Sequence, residues 1–223
     1  MLNMRSDDLG HAPDPDRTAA ARIRDAAIAR FAAAGVAATT VREIAADAGV
    51  SPALVIHHYG SKDALREACD QHVAATIRDR KLEAMAQGPG MDPLAALREA
   101  GQGPPLLRYL ARTLVDGSPH VAALVDELVE DAVAYMDEGV ASGLVRPSEH
   151  ARERAIVVTM WSLGALVLHE HITRLTGIDL TGDAEDLVAW ALPATEILTN
   201  GLLVEGFYER VRDALAAEQE GVS

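Results

Sequence analysis

The sequence lacks the features that mark secreted and membrane-spanning chains. It has one cysteine, Cys69, so no disulfide can form within the chain, which fits a reducing cytoplasm. Residues 1–16 carry four aspartates and no apolar run, so no signal peptide is expected there. The longest apolar run, 155–168, is interrupted by Thr159 and Ser162 and is shorter than the ~20 residues that a membrane span needs. We interpret this run as a buried helix.

Sustained alternation of apolar and polar residues, the pattern of a half-buried strand, is also missing. Alanine, leucine, glutamate and arginine dominate between glycine and proline breaks, and the sequence contains no internal repeat. We therefore predict an all-α fold. The polar stretch 1–15 is predicted to be a disordered tail, and the Gly/Pro-rich segment 87–93 separates two helical halves.

The formal net charge of -14 argues against a chain that binds nucleic acid over its whole surface. The charge is unevenly distributed, however. Six basic residues outnumber three acidic ones between positions 17 and 62, whereas ten basic residues face twenty-three acidic ones between positions 81 and 223. This asymmetry indicates that only the N-terminal part of the chain contacts a polyanion.

Caps and breakers delimit the first two helices. A first helix is predicted from Asp14 or Asp16 to Gly35. A second helix is predicted over 41–48, because Thr40 and Glu43 form a capping-box pattern and the glycine at position 49 ends it.

The next two helices follow without a long loop. Ser51 is predicted to cap a third helix that has Pro52 in its first position and runs to about His58. Ser61 then caps a fourth helix. Two short helices joined by the three-residue turn 49–51 form a helix-turn-helix pattern, in which the second helix of the pair enters the major groove of DNA.

Residue types, spacing and caps together resemble the N-terminal domain of the TetR family of transcriptional regulators. The segments that carry the resemblance are Thr39-Thr40-Val41-Arg42-Glu43-Ile44-Ala45, Ala48-Gly49-Val50-Ser51 and His57-His58-Tyr59-Gly60-Ser61-Lys62-Asp63-Ala64-Leu65. The resemblance covers about residues 17–70, and the remainder resembles the family only in length and helical content.

This resemblance implies an N-terminal three-helix helix-turn-helix DNA-binding domain over 16–76 and a larger helical ligand-binding and dimerisation domain over 77–223. It also implies a ligand-responsive repressor, not an enzyme, that acts as a homodimer on a palindromic double-stranded DNA operator. The implied location is a prokaryotic cytoplasm, with nucleoid association when the protein is bound to DNA.

The resemblance assigns DNA contacts to nine residues, and our own expectation about sequence readout adds Arg42. The ten candidates are Thr40, Arg42, Ser51, Pro52, Ala53, Leu54, His57, His58, Tyr59 and Lys62. Thr40 would donate its hydroxyl and N–H groups to a phosphate at a helix N-terminus. Lys62 would contact a phosphate as well, while His58 and Tyr59 would support the phosphate clamp or brace the third helix.

The third helix departs from the family pattern at three positions. It has Ile56 where tyrosine is common, Tyr59 where phenylalanine is common, and Gly60 where proline is common. The missing hydroxyl at Ile56 removes one phosphate contact, which Tyr59 is expected to replace in part.

The third helix also lacks Arg, Lys, Asn and Gln between residues 51 and 59. The standard bidentate readers of guanine and adenine are therefore absent. We expect readout to depend on His57, on Arg42 and on DNA shape. Contacts with thymine methyl groups are expected from Pro52, Ala53 and Leu54.

The second half is predicted to contain one helix over Glu149–Leu175 and a last helix over Pro193–Glu218. Because the run 155–168 is apolar nearly all round, one of its faces requires a partner subunit. The candidate dimer-interface residues are Leu163, Val167, Ile197, Leu198 and Leu202. The resemblance makes Tyr109, Tyr135, Met136, Met160 and Trp161 candidate walls of a pocket for an apolar or amphipathic effector, although we favour core packing for most of them.

The sequence provides little support for a metal site, a redox switch or catalysis. The adjacent pair His57 and His58, and the pair His169 and His171, diverge on a helix, so we expect no metal site and no cofactor. Cys69 is predicted to be a buried small residue, with a redox switch as the alternative. The competing functions are a helical enzyme and an interaction protein with an accessory helix-turn-helix, but no nucleophile motif, phosphate loop or cofactor fingerprint is present.

Overall fold

The computed structural model describes residues 15–100, 105–117 and 120–221. Over these residues the chain forms eleven α-helices and one short 3₁₀ turn, with no strand, which confirms the predicted all-α fold. The helices are α1 (Pro15–Ala34), α2 (Val41–Ala48), α3 (Pro52–Tyr59), α4 (Lys62–Ala86), α5 (Pro93–Ala100), α6 (Leu106–Leu114), α7 (His120–Ala141), α8 (Ala151–Val167), α9 (His169–Thr176), α10 (Ala184–Asn200) and α11 (Phe207–Gly221). The predicted tail lies outside the described residues, apart from Pro15 at the start of α1.

The single helix predicted over Glu149–Leu175 is wrong. The chain instead forms α8 and α9, whose axes differ by 71° across the break at Leu168. The bend has a packing reason, because Leu166 of α8 and Ile172 of α9 both contact the same hydrophobic core, which a straight helix would leave. No described helix is by itself long and apolar enough to cross a membrane, although α8 and α9 together have the length and composition of a broken span.

The helix start predicted at Pro193 is also wrong, because α10 continues through this proline and ends at Asn200. A proline removes one backbone hydrogen bond and leaves the others in place, so it marks a weak point and not a required end. α11 begins only at Phe207. Leu202, expected on the apolar side of one long helix, therefore lies in the connection between two helices.

The first hydrophobic core joins α1–α4 with α6. Its fully buried members from α1 and α3 include Phe31 and Val55, and α4 contributes Leu65. Leu106 and Tyr109 of α6 enter the same core, and the rings of Phe31 and Tyr109 lie 6.4 Å apart between centroids. The helix-turn-helix unit is therefore packed directly against a helix of the second half.

A second core lies between α4, α6, α7 and α8, with Leu110, Leu128 and Leu166 among its buried members. α4 spans the domain boundary predicted at residue 76 and connects the two cores. Gly139 of α7 faces Met85 of α4, and an added Cβ would lie 2.6 Å from Val145 Cγ2 and 2.8 Å from Met85 Sδ, so both side chains would have to shift.

Candidate nucleic-acid interface

Local hydrogen bonds hold the turn between α2 and α3. Thr40 Oγ1 accepts the N–H of Glu43, and the Glu43 carboxylate accepts the N–H of Thr40 at 2.8 Å, which confirms the predicted capping box. Gly49 ends α2 in the left-handed conformation, with φ 65° and ψ 38°. Ser51 Oγ accepts the N–H of Leu54 at 3.2 Å and caps α3. These bonds set the direction in which α3 leaves α2.

α3 turns one face to the core and another to solvent. Val55 is buried in the first core, and Leu54 is half-buried. The side chains exposed on the opposite face are those of Pro52, Ala53, Ile56 and His57. At 100° per residue these four side chains share one face of the helix, which we call the α3 face.

The N-terminus of α2 carries the exposed side chain of Arg42. The hydroxyl and N–H groups of Thr40 both donate to the Glu43 carboxylate, each at 2.8 Å, and these hydrogen bonds hold the pKa of Glu43 below its ordinary value. The N–H groups of Val41 and Arg42 belong to the first turn and have no partner within the helix. They are the donors that remain for an anion.

Lys62 secures the loop that precedes α2. Its Nζ donates to the carbonyl oxygens of Val36 at 3.0 Å and of Thr39 at 3.1 Å. An ammonium group carries three protons, so a third donor is left beyond these two bonds. Lys62 is thereby placed at the same loop that leads into the α2 N-terminus.

The residues at the end of α3 make internal contacts. The hydroxyl of Tyr59 donates to the carbonyl oxygen of Ala20 at 2.8 Å, so it braces α3 against α1 and points into the domain. His58 is half-buried, and its ring lies between the rings of His57 and Tyr59. Within the described part of the chain, no group of three or more His, Cys, Asp and Glu side chains is placed to bind a metal ion.

The five candidate effector residues lie in three different environments. Tyr109 is 1% exposed in the first core. Tyr135 and Met136 pack between α7 and α8, in a small cluster with Ala155. Met160 and Trp161 are exposed on α8, at 39% and 63%. A shallow groove between α4 and α5 contains none of these residues and is lined mainly by charged and polar side chains, Arg80, Glu83, Gln87, Asp92 and Glu99.

The candidate dimer residues are apolar and exposed, except for Leu163, which is half-buried against the second core. Val167 and Ile197 are 41% and 40% exposed, and Leu198 and Leu202 are 62% and 80% exposed. Further exposed apolar residues lie on α8, namely Ile156, Val157, Met160 and Trp161, and after α10, namely Leu203, Val204 and Phe207.

The sequence prediction missed a buried polar cluster between α4 and α6. Tyr109 Oη donates to Asp70 Oδ1 at 2.6 Å, and Arg66 Nη2 lies 2.7 Å from Asp116 Oδ2. Burial raises the pKa of Asp70, against the hydrogen bond from Tyr109 and the charge of Arg66. The spacing of Arg66 and Asp70, four residues apart on one helix, is the only part of the cluster that sequence could have indicated.

Two family models match the chain. The one described as "Bacterial regulatory proteins, tetR family" matches residues 23–69, and the one described as "Tetracyclin repressor-like, C-terminal domain" matches residues 102–204. The chain is 40% identical over 211 residues to the HTH-type transcriptional regulatory protein RaaS of Mycobacterium tuberculosis, covering 92% of this chain and 96% of that protein. It is 35% identical over 172 residues to the HTH-type transcriptional repressor Rv3405c of the same species, covering 74% of this chain and 81% of that repressor.

Solved structures share the fold. A TetR transcriptional regulator from Chloroflexus aurantiacus superposes with a TM-score of 0.53 at 23% identity, covering 83% of this chain and 96% of that one. GusR of Salmonella enterica superposes with a TM-score of 0.51 at 22% identity, covering 71% of this chain and 85% of that one. Both structures support the arrangement of a helix-turn-helix unit joined to a helical second half.

Proposed function

This chain belongs to the TetR family of helix-turn-helix transcriptional regulators, and on that basis we propose that it represses transcription as a homodimer on a palindromic operator until an effector releases it. The observation that carries the proposal is the α3 face, which stands exposed and follows α2 on a turn fixed by its own caps. We infer repression because one of the relatives is named a transcriptional repressor.

DNA binding would use the two helices differently. α2 would lie across the backbone and present the N–H groups of Val41 and Arg42 to a phosphate, which the positive end of a helix also favours. Lys62 would donate its remaining ammonium N–H to a phosphate oxygen, and the guanidinium of Arg42 would contact a phosphate as well. α3 would enter the major groove with the α3 face toward the base edges, and His57 would supply its hydrogen bonds.

Dimerisation would cover the exposed apolar side chains of α8 and of the segment that follows α10. Exposed apolar side chains grouped on one helix face, as Ile156, Met160 and Trp161 are on α8, mark interfaces, because a monomer would leave them in water. A two-fold axis through such an interface would place two copies of α3 on one side of the dimer, which matches a palindromic operator.

Effector release would act through α6. Leu106 and Tyr109 at one end of this helix belong to the first core, whereas Leu110 and Ala111 belong to the second. A molecule that enters the second half and shifts α6 would also move the helix that carries Phe31. By binding better to a form in which the two helix-turn-helix units have a spacing that does not fit DNA, the effector would shift the population to that form and release the operator.

The effector would be apolar or amphipathic, because a molecule that enters the second half would meet the second core, whose buried side chains, such as Leu110, Leu128 and Leu166, are apolar. A thermal-shift screen combined with DNA release tests this expectation. Apolar and amphipathic compounds should raise the melting temperature and displace labelled DNA, whereas activity confined to highly charged compounds would contradict it.

The remaining parts of the proposal are that the protein works in the cytoplasm of a prokaryote, associates with the nucleoid when bound, and carries no enzymatic activity. The competing function is a helical enzyme or an interaction protein that uses the helix-turn-helix only as an accessory. Specific binding to DNA upstream of the protein's own coding region favours repression over both alternatives.

The test is a titration of that upstream DNA with the full-length protein over a series of salt concentrations. The logarithm of the affinity should fall linearly with the logarithm of the salt concentration, because basic side chains that bind phosphates displace counterions from the DNA. Arg42→Ala and His57→Ala should weaken discrimination between operator and unrelated DNA. The proposal fails if no genomic fragment shows salt-sensitive affinity.

A further inference from the structure

Ile56 lies between Pro52 and Ala53 on the α3 face. Its side chain is 45% exposed, and it is not part of the first core, to which its neighbour Val55 belongs. Pro52 lies one helical turn before it on the same face, with Ala53 beside them. Ile56 is therefore a branched apolar side chain that is free to contact DNA when the recognition helix enters a groove.

The chemistry of this face limits what it can read. Pro52, Ala53 and Ile56 have no side-chain donors or acceptors, so they cannot hydrogen-bond to a base. Among the groups that line the major groove, the 5-methyl of thymine is the apolar one, whereas the other base edges present donors and acceptors. An aliphatic side chain pressed against those edges would desolvate them without a compensating hydrogen bond.

We propose that Ile56 is a specificity-determining residue that contacts the 5-methyl group of thymine, with Pro52 and Ala53 beside it on the same strip. This inference rests on the proposed function and adds a requirement about the operator. Each half-site carries thymine where Ile56 meets the groove. Leu54, which is half-buried on the other side of α3, contributes less than Ile56 to this contact.

The experiment replaces thymine by deoxyuridine, which keeps every hydrogen-bonding group and removes only the methyl. Full-length protein first selects duplexes from a randomised pool, and the selected duplex is then synthesised with deoxyuridine at one thymine at a time. We expect one symmetric pair of positions at which affinity falls by about three- to fivefold per methyl removed, as expected for loss of one buried methyl.

A double-mutant cycle assigns that loss to Ile56. In Ile56→Ala the same replacement should have no effect on affinity, whereas Ile56→Val should keep most of the sensitivity. His57→Ala is the matched variant on the same face, which should bind more weakly and yet retain the wild-type response to deoxyuridine. Circular-dichroism melting of each variant checks that the fold is intact, which the exposure of Ile56 predicts.

Each outcome decides a separate question. If the selected duplex binds with the expected salt dependence but no deoxyuridine position matters, the inference about Ile56 fails and the proposed function stands. A response that persists unchanged in Ile56→Ala assigns the effect to DNA shape or to another side chain of the α3 face, and either result overturns the inference. If no duplex is enriched at all, the proposed function itself fails.

Discussion

A buried hydrogen bond joins Tyr109 to Asp70, and its loss should lower stability. Both are buried, and the hydroxyl of Tyr109 donates to the Asp70 carboxylate between α6 and α4. In Tyr109→Phe the carboxylate loses this donor, which should lower the free energy of unfolding by roughly 1–3 kcal/mol. Urea denaturation measures the change, and Tyr208→Phe, at a tyrosine that is 55% exposed, is the control that should have little effect.

The loss in the free energy of unfolding that Tyr109→Phe causes should also depend on pH. The hydrogen bond from Tyr109 lowers the pKa of Asp70, although burial raises that pKa overall. The bond therefore stabilises the ionised carboxyl, and its contribution is present at neutral pH and is lost as the pH falls and Asp70 takes up a proton. Equal destabilisation at neutral and mildly acidic pH would show that packing, and not the charge of Asp70, accounts for the effect.

Cys69 should be inert in the folded protein. Its Sγ lies 3.8 Å from the carbonyl oxygen of Arg24, and burial, followed by the nearby charge of Asp70, raises the pKa of the thiol to about 12. At neutral pH almost no thiolate is present, so a thiol-specific reagent should label the native protein far more slowly than the urea-unfolded protein. Rapid labelling or peroxide oxidation of the native protein would support the redox switch instead.

At the scale of the elements, the turn between α2 and α3 requires a residue that adopts the left-handed conformation, and glycine occupies that position. Gly49 has φ 65°, and a Cβ at this position would meet nothing within 4 Å, so the cost of a side chain is conformational and not steric. Gly49→Ala should lower the free energy of unfolding by about 1 kcal/mol. Gly49→Asn should cost less, because asparagine tolerates the left-handed region, and equal unfolding midpoints for the two variants would contradict this account.

At the scale of the whole molecule, the exposed apolar face of α8 should decide the oligomeric state. Trp161→Glu places a charge where the dimer interface is proposed, and we expect a monomer that binds operator DNA more weakly because one half-site contact is lost. Sedimentation equilibrium measures the mass. Ala122→Glu, at an exposed position on α7, is the control that should stay dimeric. A dimeric Trp161→Glu would move the interface away from α8.

The sequence by itself determined the helix-turn-helix unit and hence the class of the protein. The start and end of α2 and the start of α3 were correct because their signals are local. Thr40 with Glu43, and Ser51 with Leu54, are three residues apart, so the hydrogen bonds that cap these helices form within one turn of chain. The glycine after α2 adds a conformation that few other residues adopt.

Only the tertiary structure decided how the helices of the second half divide and which side chains remain exposed. The break at Leu168 exists because both flanking helices must reach one core, and Pro193 stays inside α10 despite its own preference. The joining of Tyr109 to Asp70, and the exposure of Ile56 beside a buried Val55, depend on which neighbours arrive from elsewhere in the chain. Packing between residues far apart in sequence sets these features, and the pattern of neighbouring residues does not specify it.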